Sequence, residues 1–331
     1  MNKRILSIGG ATYDLFVQTG KDALQLDAKK EAILLPVGHK IRIQDVIETC
    51  GGGATNTAIG LRRLGCDTAF CGIIGSDQWG ERILENLRIE KVDTKPATIV
   101  EGEMSSFSII FITATGERVI MYATGANAHL HDATFDKAAA AGADWIVLNH
   151  IHESSCIIQD DIIEVLTQKR TLGLTWNPGG RQLKQGMDAS DNATLLKRTS
   201  LLLVNKEEAF TFTGKKTVKG ALTALCKAGA AMACITDGSK GCTASDGRSV
   251  YHCSTIRDAS IVDTTGAGDA FGTGATWALL CGLDLPTALK AGTINATSVL
   301  AMIGAQAGLL TDIEMRTRLQ TAQLTVDMRA L

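Results

Sequence analysis

No apolar run in the 331 residues approaches the roughly 18 that a membrane span needs. No long run of like charge suggests a polyanion or a membrane surface as partner. Lys and Arg number 33 against 35 Asp and Glu, and a net charge of -2 leaves no electrostatic footprint for nucleic acid. The nine cysteines include no CxxC pair, and most lie in apolar segments such as TAFCGII and AMACIT. They read as reduced core thiols of a cytosolic protein, with a zinc site as the lesser alternative. The opening MNKRILSIGGATYD has only a short apolar run, broken by Gly9 and Gly10. It reads as a first strand and not as a signal peptide, so a cytoplasmic protein is expected. There is no internal repeat, low-complexity tract or long linker, and the length suits one large domain or a domain with a small appendage.

What is present is alternation. KRILSIG, TAFCGII, DWIVLNH, TLGLTW, SLLLVN and AMACIT are strand-like. Between them lie the helical periods of GGGATNTAIGLRRLG, DQWGERILENLRIE, ATFDKAAAAG, CIIQDDIIEVLTQK, KEEAFTF and VKGALTALCKAG. A strand pair, GCTASDG and RSVYHCST, and helices near 267–281, 286–303 and 311–323 close the chain. This order predicts an α/β protein with a parallel sheet covered on both faces. Residues 15–49 and 97–124 depart from it, with short β-runs and no helical period, and predict a small antiparallel patch added to the core.

The densest chemistry lies in DTTGAGDAFGTG at 263–274. Gly266 and Gly268 remove side chains where the backbone turns into a helix, so the amides of Ala267, Gly268 and Asp269 can converge into a positive nest. The helix dipole adds to it, and the place suits a phosphoryl group or a developing anion. The same dipole keeps a carboxylate ionised, so Asp269 reads as a general base that activates a hydroxyl for attack on a phosphate. The plainer reading is a helix start with Asp269 as an ordinary cap and glycine for close packing. Neither standard nucleotide motif is present. TFTGKKT lacks the first glycine of GxxxxGK[ST] and has Lys216 at the Ser/Thr place. The residue three beyond Gly268 is Phe271, which breaks GxGxxG and disfavours a Rossmann dehydrogenase.

DTTGAGDAFGTG resembles the C-terminal signature of the ribokinase-like (PfkB) family of carbohydrate and nucleoside kinases, and GGGATNTAIGLRRLG at 51–65 resembles its N-terminal one. IGGATYD, NKEE at 205–208, TDGSKG at 236–241 and TGERVIMYATGANAHL agree in order and spacing, and the resemblance runs from residue 3 to about 310. It implies a ribokinase-like three-layer α/β/α core with a mostly parallel central sheet, formed by 1–14, 50–96 and 125–331. A small β-sheet lid would come from 15–49 and 97–124. ATP and Mg2+ are the implied cofactors, Asp269 the catalytic base, and Gly266, Ala267 and Gly268 the anion hole. Asp14, at the end of the first strand, would hold the acceptor's hydroxyls together with Gly52, Gly53 and Asn56. Asn56 follows a glycine turn whose missing side chains leave room for a ligand. Asn205 and Glu208 would organise Mg2+ through its waters. Thr236, Gly238 and Gly241 would line the phosphate and ribose side of ATP, and Asn295 would lie beside the adenine.

The chain departs from the family pattern in places. The family's Asp-Pro-Asn-x-Arg appears as WNPGGRQL, with Asn177 and Gly179 in those places, which leaves the part of Arg181 open. Many members bind a monovalent cation beside the anion hole. Asp263 and Thr265 match one half of that loop and make K+ a candidate, but GAQAGLL has Gly308 where ribokinases tend to have Ser. The segment between Asp14 and the first signature is longer than in many ribokinases, which enlarges the lid or its dimer contact. Phe107, Ile109 and Phe111 share a strand face, and a homodimer through the lid would cover it. His129/His131 and His150/His152 read as solvated loop histidines ahead of zinc ligands, with one of NHIHE able to reach the acceptor. Trp79, Trp145, Trp176 and Trp277 read as core, and Lys215-Lys216 as a solvated turn. The expectation is an ATP-dependent sugar kinase acting on a hydroxymethyl group, with no nucleic-acid or membrane partner. A nucleoside kinase, with Phe16, Phe107 and Phe111 offering a slot for the base, is the alternative. A catalytically silent nucleotide- or sugar-binding sensor is a further one, which the intact Asp269 argues against.

Overall fold

The computed structural model describes residues 3–19, 25–26, 33–34, 37–112, 118–131, 135–150, 157–257 and 259–331. Nine strands among them form a central sheet in the order Val326–Ala330, Ser249–Cys253, Cys242–Ser245, Ala233–Thr236, Leu201–Asn205, Gly173–Trp176, Trp145–Leu148, Arg4–Ile8, Asp67–Cys71. The six strands from Ala233–Thr236 to Asp67–Cys71 run parallel, and the remaining three join antiparallel. The period of two along each strand feeds two separate cores. Leu6, Ile8, Ile146, Leu148, Leu174 and Trp176 pack on one face, while Ile5, Val147, Leu201 and Leu203 pack on the other with Trp277. A sheet buried on both faces explains why these strands read as continuous apolar runs. The result is a three-layer α/β/α core.

The helix Ala267–Leu280 is buried continuously from Ala270 to Ala278, as expected of a helix that is apolar nearly all round. It lies against Leu285–Leu300, which starts at Asp284 accepting from Thr287 N, with Pro286 in the first turn. The two approach so closely that a Cβ at Gly274 would stand 2.5 Å from Ala291 O. No helix among the described residues is long and apolar enough to cross a membrane.

A second sheet of four strands, in the order Arg118–Ala123, Phe107–Ile112, Thr12–Thr19, Ile43–Gly51, covers one end of the core as the lid. Here the structure departs from the expected antiparallel patch. Thr12–Thr19 runs parallel to Phe107–Ile112 and antiparallel to Ile43–Gly51. Thr98–Val100 stays outside the lid and pairs in parallel with Ile73–Gly75. Asp14 does not end the first strand. That strand stops at Ile8, the chain turns through Gly9 and Gly10, and Asp14 is the third residue of the lid strand. The short helices Gly180–Gln185 and Ser190–Leu196 and the edge strand Val326–Ala330 escaped sequence reading. Two turns of helix are too few to establish a period, and the edge strand is mostly exposed and mixed in polarity.

Because Gly274 leaves no room beside Ala291, Gly274→Val is expected to cost about 1–3 kcal/mol or more through overpacking. Urea unfolding measures it; an unchanged midpoint would mean that the two helices leave room for the added methyl groups.

Candidate active site

The start of the helix Ala267–Leu280 is held open by two glycines with different jobs. Gly266 takes φ 73°, and a Cβ there would collide with Ala305 at 2.3 Å, so packing and backbone both demand glycine. A Cβ at Gly268 would meet no protein atom within 4 Å. Packing gives no reason for its missing side chain; what it leaves open is the seam between two cavities. One, of 520 Å³, is lined by Thr236, Gly238, Gly241, Ile256, Phe271 and Ala296 among others. The other, of 130 Å³, is lined by Asn149, Asn177, Asn205, Glu208 and Asp269 among others. Gly268, Phe271 and Thr236 border both. The amides of Gly268 and Asp269 belong to the first helical turn, where no intrahelical acceptor exists.

Asp269 faces the smaller cavity. Its Oδ2 accepts from Asn56 Nδ2 at 2.8 Å. Burial pushes its carboxyl above the usual carboxylate range, while the Asn56 hydrogen bond and the charge of His150 pull it back. Asn56 is engaged at both ends, since its Oδ1 accepts from Gln306 Nε2 at 2.9 Å. Gln306 in turn accepts from Asn86 Nδ2 at 2.8 Å. Arg63 fixes the loop that carries Gln306, donating to Gln306 O at 2.8 Å and to Leu309 O at 3.1 Å while paired with Glu90.

Asp14 points under the lid and is 6% exposed. Burial raises its pKa to about 6; the nearby Asp263 charge adds to the rise and a hydrogen bond with Ser108 opposes it. A Cβ at Gly51 would lie 2.3 Å from Asp14 Oδ2, and one at Gly52 would lie 2.5 Å from Gly10 O. The room expected for a ligand at this glycine turn is taken by the protein's own Asp14 carboxylate and Gly10 carbonyl. At Gly53 a Cβ would face Asn149 at 3.3 Å.

The pfkB family of carbohydrate kinases matches residues 15–312. An uncharacterized sugar kinase of Archaeoglobus fulgidus is 30% identical over 258 residues, which are 76% of this chain and 98% of its own length. The chain belongs to the pfkB family. Haemophilus influenzae ribokinase is 27% identical over 79% of this chain and 84% of its own. Arabidopsis thaliana ribokinase complexed with ribose and ATP superposes with a TM-score of 0.79 at 23% identity, covering 97% of this chain and 99% of that one. Burkholderia thailandensis nucleoside kinase in complex with inosine gives 0.75 at 18%, covering 97% and 98%. The protein is an ATP-dependent kinase of ribokinase fold.

Within this pfkB kinase, Asn205 and Glu208 form a capping box. Asn205 Oδ1 accepts from Glu208 N at 2.9 Å, and Glu208 Oε2 accepts from Asn205 N at 2.8 Å. Both line the smaller cavity. Burial raises the Glu208 pKa, with Glu207 adding to it and the Asn205 amide opposing it. Asn295 departs from expectation. It is fully buried, donates to Ala270 O at 2.8 Å and accepts from Leu310 N at 3.2 Å, so it braces two core segments. Its helix turns Thr293, Ala296, Thr297 and Leu300 to the larger cavity instead. Ile256, Ala259 and Ile261 complete that lining and were missed, because no periodic pattern marks the segment that carries them. His129 lies 3.6 Å from Glu103, and His152 falls outside the described residues. Trp176 and Trp277 are fully buried, whereas Trp79 is half-buried and stacks on Tyr13 and Phe107. The eight described cysteines are free thiols.

Asp14 binds its proton more tightly folded than unfolded, so between its ordinary pKa of 3.8 and its folded value of about 6 stability falls as pH rises. Asp14→Asn is therefore expected to stabilise the protein by about 1–3 kcal/mol at pH 8, with the gain disappearing toward pH 4. Urea melts at both pH values test this; a gain of equal size at both would show that ionised Asp14 carries no cost.

Proposed function

We propose that the enzyme transfers the γ-phosphoryl group of ATP to a hydroxymethyl group of a small sugar. Asp269 acts as general base, and the turn Gly266-Ala267-Gly268 is the anion hole. The observation that carries this reading is Gly268 at the seam. The helix start that holds Asp269 is also the wall between a large, mostly apolar cavity suited to a nucleoside and a small one that brings Asn149, Asn177, Asn205, Glu208 and Asp269 together and suits the reacting groups. A phosphoryl group at the seam meets first-turn amides and the helix dipole, which stabilise charge as it shifts toward the leaving oxygen. On the other side Asp269 lines the smaller cavity, where its carboxylate can take a proton from an alcohol.

Asp14 accepts from two hydroxyls of the acceptor, which relieves a carboxylate short of solvation. The glycine turn serves this site by making room for the Asp14 carboxylate at Gly51, while Gly52 packs on the Gly10 carbonyl and Gly53 on Asn149. Asn56 would hold Asp269 through the contact it already makes and offer its amide edge to the acceptor. Thr236, Gly238 and Gly241 line the nucleotide side. Glu208 is a desolvated carboxylate on the cavity wall beside Asn205, and this pair fits Mg2+ held through water. When bound, the ion would neutralise charge on the phosphates. The three rings that a nucleobase would have needed do not form a slot beside Asp14. Phe16 is fully buried, and Phe107 and Phe111 alternate onto the opposite face of the lid, where Phe107 meets Trp79. This favours a sugar over a nucleoside.

The lid face away from Asp14 carries Leu15, Ile109, Val119 and Met121, with Val119 41% and Met121 48% exposed. A homodimer through this face would cover it. Ile109→Glu is expected to convert the dimer to a monomer in light scattering at micromolar concentration. A wild-type monomer, or a variant that still dimerises, refutes this contact.

The reaction itself is tested with ATP and Mg2+ against a panel of sugars, sugar phosphates and nucleosides. With the best acceptor, Asp269→Asn should keep ATP binding and lower kcat by about 10^2–10^4. Asp14→Ala should instead raise the acceptor's KM about tenfold or more and leave the KM for ATP nearly unchanged. Near-wild-type kcat in Asp269→Asn removes the base; an effect of Asp14→Ala on the ATP term alone places the acceptor at the wrong end of the sheet.

A further inference from the structure

The loop that precedes the anion-binding turn holds a cation of its own. Arg118 begins the lid strand Arg118–Ala123 and lies on the lid face that Asp14 shares. Its guanidinium crosses to the core. Nη1 donates to Asp263 Oδ1 and, at 3.1 Å, to Thr265 Oγ1, while Nη2 donates to Thr264 Oγ1. Asp263 is 7% exposed, and both of its carboxylate oxygens accept hydrogen bonds. Oδ1 also accepts from Thr265 N at 3.0 Å and Thr265 Oγ1 at 2.8 Å, and Oδ2 accepts from Gly304 N at 3.0 Å.

Asp263 and Thr265 are the residues that the sequence offered to a monovalent metal cation. Such an ion needs oxygen lone pairs and the absence of a neighbouring positive charge. Here the lone pairs of Asp263 Oδ1 and Thr265 Oγ1 point at the Arg118 guanidinium, whose full charge occupies the same edge. The residues present do not fit K+. They fit a guanidinium, a planar fork that binds a carboxylate and two hydroxyls at once.

We propose that Arg118 is the resident cation of this loop, and that phosphoryl transfer in this enzyme requires no monovalent metal ion. The proposal rests on the kinase reading above. The charge of Arg118 balances Asp263, fixes the backbone of Thr264 and Thr265, and through them sets the turn at Gly266 on which the helix start and Asp269 depend. Arg118 is thus a positioning residue, and its presence is fixed by the chain instead of by salt concentration.

The test compares phosphotransfer in KCl, NaCl and tetramethylammonium chloride at equal ionic strength, with thermal unfolding followed in the same salts. The wild type is expected to show equal kcat, within about twofold, and no K+-specific rise in Tm. Arg118→Ala is expected to fold, to lose about tenfold or more in kcat, and to regain part of it saturably with guanidinium ion or K+. Arg118→Lys should lose less than Arg118→Ala. Strong activation of the wild type by K+, or a K+-specific rise in its Tm, overturns the proposal. So does Arg118→Ala with unchanged kcat, or with a loss that neither ion restores at an unchanged Tm. Failure of every acceptor in every salt would instead refute the kinase reading, and the Tm comparison would still decide the cation.

Discussion

The burial of carboxylates under the lid is the constraint that orders the rest of this structure. Asp14 descends from the lid strand close enough to Asp263 for that charge to raise its pKa, and Asp269 stands at a helix start with its own carboxyl raised by burial. Asp14 and Asp269 would each be more stable in water. Each acid is kept where it is by a separate device: a glycine at position 51 that makes room for Asp14, a lid arginine that neutralises Asp263, and a helix N-terminus with an asparagine amide that steadies Asp269. Buried acids held this way are poor for stability and useful for binding hydroxyls, and functional sites are where such a trade is found.

The lid and the core meet through these same groups. Arg118 is tied to Asp263, Thr264 and Thr265, and Gly304 N is tied to Asp263 Oδ2. Tyr13 on the opposite lid face stacks on Trp79 at 4.9 Å and donates to Glu48 at 2.6 Å. The lid is thus gripped on one face by charge and on the other by rings. Only a sheet with side chains alternating between faces can be held in two such different ways at once.

The alternation of apolar strands and helical periods made the parallel core legible, because burial on both faces leaves so plain a pattern. The two glycine signatures pointed to the helix start and to Asp269 before any geometry was known. What stayed hidden was long-range. Arg118 meets a loop 145 residues later, Asn56 meets Asp269 across 213, and Gln306 meets Asn56 across 250. No local period or spacing encodes such pairs. Asn295 shows the converse error. The family resemblance put Asn295 beside the adenine, but its two ends were needed by Ala270 O and Leu310 N. The glycines at 51 and 52 misled in the same way, since vacated space reads alike whether a ligand or the chain itself fills it.

The chain of amides behind Asp269 has a direction, and the carboxylate sets it. An ionised carboxylate can only accept, so Asn56 must turn its NH2 toward Asp269 and its oxygen away. That oxygen then requires the NH2 of Gln306, whose oxygen requires the NH2 of Asn86. One charge therefore fixes three side-chain orientations, and the last of them sits on the helix Gln78–Ile89 that also carries Trp79 against the lid face away from Asp14. Hydrogen bonds aligned head to tail in a low-dielectric interior polarise one another. Protonation of Asp269 would end the need for that alignment at its source. The ionisation state of Asp269 and the order of the amides that hold it are thus a single property of the site, built from four segments that only the folded chain brings together.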